Sequence, residues 1–90
     1  MYAIYKYPLR FNSIGAETID MPVGARILSV QMQGDTITLW ALVQPGSKTE
    51  TVRFTMIGTG WELPDDFATK NLYLGTVQYE SLVWHIFKNL

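Results

Sequence analysis

The apolar residues of this chain recur with a period of two, and that spacing alone restricts it to sheet-forming architectures. Seven extended segments can be marked, at residues 2–7, 17–21, 26–33, 36–44, 50–57, 72–79 and 82–88. Each is bounded by turn formers: Pro8, Asn12 and Gly15, Pro22 and Gly24, Gly34-Asp35, Pro45-Gly46, and Gly58-Thr59-Gly60. No stretch long enough for a sizeable helix shows the 3.6 spacing.

The hairpin around Gly34-Asp35 is the best-specified unit. A two-residue loop with glycine first suits a type II′ turn, which needs positive φ at that position. Pairing outward from it sets Met32 against Ile37, Val30 against Leu39 and Leu28 against Ala41, and with Val43 these residues make one wholly apolar face. Turn geometry and hydrophobic pattern therefore agree on the register. The other face carries Ile27, Ser29, Gln31, Gln33, Thr36, Thr38, Trp40 and Leu42. Exposed sheet faces usually bear charges, and this one bears none, so it is expected to be half covered or to meet a partner.

In the fifth segment Val52, Phe54 and Met56 alternate with Thr51, Arg53 and Thr55. A long loop from residue 58 to 71 follows, in which Pro64-Asp65-Asp66 can start one helical turn. The last two segments form a second hairpin around Glu80-Ser81. The expected fold is a single all-β domain over residues 1–90, a small antiparallel sandwich or partly open barrel of six to seven strands. Its core is expected to hold Ile4, Leu28, Val30, Met32, Leu39, Ala41, Val43, Phe54, Met56 and Val77, with Trp84 or its neighbours.

Ninety residues suffice for one core, with modest stability that a second copy could raise. Seven cations against eight anions, scattered along the chain, make no footprint for duplex nucleic acid or an anionic membrane. There is no cysteine, so disulfides, thiol catalysis and zinc ribbons are excluded. The start has no signal-peptide pattern, and no run reaches the roughly 18 apolar residues of a membrane span. A cytoplasmic, reducing compartment is expected.

Few residues offer chemistry. His85 is the only histidine, and no second ligand or nucleophile is evident beside it, with Thr76 its expected cross-strand neighbour. Asp65 and Asp66, with Glu62, lack the alternating spacing and tight glycine of a calcium loop and read as a helix start. Gly58-Thr59-Gly60 lacks the following helix and lysine of a phosphate-binding loop. No catalytic set, metal site or cofactor is expected. Aromatic residues make up 13% of the chain; core filling accounts for most of them and is the favoured reading for Trp40 and Trp61, with a protein interface the alternative for these two and an even choice for the Tyr5/Tyr7 pair.

Several stretches together carry a family likeness: Ile4-Tyr5-Lys6-Tyr7-Pro8-Leu9, Ala25-Arg26-Ile27-Leu28-Ser29-Val30-Gln31, Leu39-Trp40-Ala41-Leu42-Val43, Leu63-Pro64-Asp65-Asp66, Gly75-Thr76-Val77-Gln78 and Leu82-Val83-Trp84-His85. The chain resembles a family of short uncharacterised proteins of bacteriophages, prophages and bacteria. The resemblance implies no activity. It implies a phage or mobile-element setting, the host cytoplasm, and an accessory factor that binds a host component, a defence component among them.

The expected function is non-catalytic binding of a protein partner, with a homodimer as one form of it. The candidate interface is Trp40, Leu42, Ile27 and Gln31, joined by Trp61, Asp65 and Asp66. The alternatives are a small-ligand or nucleotide sponge, with Arg26, Arg53 and His85 as contacts and Arg10 a further cation, and a minor structural protein of a virion.

Overall fold

A computed structural model describes residues 1–90. Seven strands and one short helix follow in the order β1 (Ala3–Pro8), β2 (Ala16–Pro22), β3 (Arg26–Gln33), β4 (Thr36–Val43), β5 (Thr49–Gly58), α1 (Phe67–Lys70), β6 (Asn71–Tyr79) and β7 (Leu82–Asn89). Two antiparallel sheets result, one ordered β1-β4-β3 and the other β2-β5-β7-β6. They form an open sandwich, not a closed barrel. Strands occupy 62% of the chain. No helix is long and apolar enough to cross a membrane.

Local chemistry sets the turns. Gly34 takes φ 61°, as a glycine-first two-residue hairpin requires, and Gln33 pairs with Thr36 across it. The second hairpin pairs Tyr79 with Leu82, which places both Glu80 (φ 50°) and Ser81 (φ 68°) in the left-handed region. Without glycine there, the turn is strained by roughly 1 kcal/mol per residue. The helical turn after Pro64-Asp65-Asp66 also forms, and Phe67 and Thr69 donate their amides back to the Pro64 and Asp66 carbonyls.

The core lies between the sheets. Leu39, Ala41 and Val43 of β4 and Val30 and Ile37 of the first hairpin meet Met21, Val52, Phe54, Val77 and Ile86 of the second sheet. Leu9, just beyond β1, completes it. Met32, Met56 and Trp84 pack against this cluster and are only partly buried.

On one side the sheets close up, where β3 and β6 run alongside each other in the same direction. A Cβ on Gly75 would stand 3.4 Å from the Val30 carbonyl oxygen and 3.5 Å from the Val30 Cβ, so the two strands lie in van der Waals contact there. No hydrogen-bonded ladder joins these two strands.

Two core expectations are corrected. In β3, Ile27 pairs with Ala41 but Ser29 with Trp40, leaving Leu28 as an unpaired bulge. Beyond the bulge every side chain changes face. Ile27 therefore turns in against the core, not out as its alternation suggested, and Leu28 turns out with 46% of its surface exposed, not into the core opposite Ala41. Ile4 is also outside, 61% exposed. It pairs with Leu42, an outward residue, whereas Tyr5 and Tyr7 pair with the inward Ala41 and Leu39. A matching bulge in β6 falls between Tyr73 and Gly75.

Candidate functional site

The outer face of β1-β4-β3 is built by alternation along three strands. β4 contributes Thr38, Trp40 and Leu42, β1 contributes Ile4 and Lys6, and β3 contributes Ser29, Gln31 and, through its bulge, Leu28. Ile4, Leu28, Ser29, Gln31 and Trp40 line one shallow apolar groove. Trp40 and Leu42 are half-buried by their neighbours, while Ile4 and Leu28 stand up on either side of them.

One end of this face is closed by its own polar groups. Lys6 Nζ donates to Gln33 Oε1 at 3.0 Å, bridging β1 and β3 across β4, and Thr38 beneath is only 1% exposed. Gln31 Nε2 donates to Ser29 Oγ at 2.8 Å. Toward the other end nothing covers the apolar side chains. The only charged residues in the three strands are the cations Lys6 and Arg26. All eight carboxylates lie elsewhere.

Trp61, Asp65 and Asp66 do not join this face. Trp61 folds over Gly58 and meets Trp84 edge-on at 5.5 Å, at the end of the second sheet. A Cβ on Gly58 would stand 2.6 Å from the Trp61 ring nitrogen, so any side chain there would push the indole out of this position. Asp66 pairs with Lys70 at 2.8 Å, the molecule's single ion pair, and Asp65 remains exposed. The expected interface thus divides into a sheet face (Trp40, Leu42, Gln31) and a separate loop (Trp61, Asp65, Asp66), with Ile27 removed from both.

The expected ligand contacts are likewise dispersed. Arg26 stands at the end of β3, Arg53 on the outer face of β5 opposite Thr18, and His85 on the outer face of β7. His85 does pair with Thr76, as expected, and sits within a chain of hydrogen bonds. Thr59 Oγ1 lies 2.7 Å from its Nε2, Thr76 Oγ1 lies 2.9 Å from its Nδ1, and Tyr73 OH lies 2.6 Å from Thr76 Oγ1. The hydroxyl at Nδ1 satisfies the ring but offers no anion to stabilise an imidazolium, which a base-activated Thr59 would need. No three His, Asp or Glu side chains converge as a metal site would require.

The Tyr5 and Tyr7 rings lie 6.5 Å apart on the inner side of the free edge strand β1. Burial, and then the neighbouring Tyr5 hydroxyl, raise the Tyr7 phenol above its ordinary pKa of 10.0. Leu28 and Ile4 are the two interface residues that alternation missed. No glycine or proline marks the bulge, so nothing local announces it.

A domain family described as a domain of unknown function, DUF7352, matches residues 1–90. No curated protein and no solved structure matches the chain.

Proposed function

We propose that this chain, which belongs to the DUF7352 family of unknown function, is a non-catalytic accessory protein that binds a protein partner on the outer face of β1-β4-β3. One observation carries the reading: Ile4, Leu28, Trp40 and Leu42 share an uncovered face that bears no carboxylate. A small domain gains nothing in its own fold from leaving Ile4 and Leu28 in water, and exposed apolar patches of this kind mark interaction sites. Trp40, half-buried at the centre between them, is the residue type that dominates binding energies. The resemblance to short phage and prophage proteins supports a host component as the partner.

The test pairs Trp40→Asp with Leu28→Asp. Light scattering over a dilution series reports self-association, and capture from host lysate by wild type, compared with each variant, reports a foreign partner. Loss of either association in both variants, with the melting temperature retained, supports the reading. Unchanged mass and unchanged capture in both variants would overturn it.

A further inference from the structure

We infer that the cleft between the N-terminal parts of β3 and β6 is a binding site for a phosphate monoester carried on an apolar body. The two strands meet at Val30 and Gly75, and residues 25–28 and 72–74 beyond that contact line a cleft between them. Each strand carries its bulge at that point, so neither presents a regular edge and no ladder closes the gap. A cleft of about 380 Å³ remains, within the range of roughly 300–1,000 Å³ typical of small-molecule sites.

Its lining is chemically one-sided. Leu28 and Leu72, 46% and 50% exposed, form apolar walls from the two sheets, and the half-buried Ile27 lies between them and the core. Arg26 from β3 and Lys88 from β7 line the same cleft, and neither has an ionic partner. No carboxylate lines it. Two cations of different type match a phosphate monoester, whose charge near pH 7 is about −1.5 to −2. A guanidinium fork grips phosphate oxygens in a fixed geometry, while an ammonium adjusts as a point charge. The apolar walls leave room for the group that carries the phosphate. The inference does not rest on partner docking: Leu28 lines both surfaces, but the cations that would hold the phosphate, Arg26 and Lys88, are not among the residues that carry the docking reading.

Titration of the ¹⁵N-labelled protein with AMP, n-hexyl phosphate, inorganic phosphate and adenosine tests it. Saturable shifts at the amides of residues 25–28, 72–74 and 88 are expected with both monoesters, more weakly with inorganic phosphate, and not with adenosine. Tighter binding of AMP identifies a flat aromatic body, and tighter binding of hexyl phosphate an alkyl one. Arg26→Gln and Lys88→Met should each weaken binding on the order of tenfold, and the unperturbed spectrum of each variant verifies its fold. Absence of shifts at these amides, monoesters no better than inorganic phosphate, or undiminished binding in both variants would overturn the inference.

Discussion

The outer faces of the two sheets are built from the same alternation and end in opposite conditions. The second sheet engages most of its outer side chains with one another, although Tyr73 and Val83 stay 55% and 45% exposed. Phe67 of α1 meets Phe87 edge-on at 4.9 Å, Tyr73 approaches the same ring at 5.7 Å, and Thr59, His85, Thr76 and Tyr73 close their hydrogen bonds with one another. Thr51 donates to Asp20, and Thr55 to Asn89, across neighbouring strands. The first sheet receives no such cover toward its Ile4–Leu28 end. A polar or aromatic side chain that finds its partner within the chain is explained by folding. Apolar side chains left without one, such as Ile4 and Leu28, are what the proposed partner surface on the first sheet rests on.

The largest effect that could break the contrast is on stability. Phe87→Ala should cost roughly 2 kcal/mol, because its half-buried ring loses its packing against Phe67 and Tyr73. Leu28→Ser, on the uncovered face, should stay within about 1 kcal/mol. Urea denaturation of both variants checks this, and equal losses would mean that Leu28 is structural. Next comes His85→Ala, expected to cost about 1 kcal/mol through the loss of its hydrogen bonds to Thr59 and Thr76, whose exposed hydroxyls turn to water instead. Thr76→Val should reproduce most of that loss if the chain acts as one unit, which a double-mutant cycle would show.

A subtler difference lies in alkaline pH. Tyr7 has its phenol raised by burial and by Tyr5, so the folded state favours the neutral form. Its contribution is fully present below the ordinary phenol pKa and is lost as pH rises through the higher folded value. Melting temperatures measured from pH 9 upward should fall more steeply in wild type than in Tyr7→Phe. The smallest effect belongs to the Lys70–Asp66 pair, exposed on both sides. Lys70→Ala should change stability by no more than about 0.5 kcal/mol, because water and salt screen such i,i+4 pairs.

Much of the architecture was legible in the chain because its determinants are local. Gly34-Asp35 sets the hairpin type, and Met32–Ile37 and Val30–Leu39 pair as alternation requires. Pro64-Asp65-Asp66 starts its helical turn, and His85 finds Thr76. The proposed site was only half legible. Trp40, Leu42 and Gln31 follow from the register near the turn, but the error introduced at Leu28 exchanged it with Ile27 in the expected interface. Ile4 failed for a different reason: a lone strand of alternating apolar residues has no inside until the strand it pairs with is known.

The sequence by itself determined that this protein is a cysteine-free, all-β chain, with two hairpins whose turns are dictated by backbone chemistry within a few residues. Only the tertiary structure decided which face of β1 is buried, where β3 and β6 bulge, and that a cationic cleft opens between them. Those features arise from contacts between strands distant in sequence, where Val30 meets Gly75 and β4 lies between β1 and β3. Alternation states that a strand has two faces; packing against the second sheet decides which of them is inside.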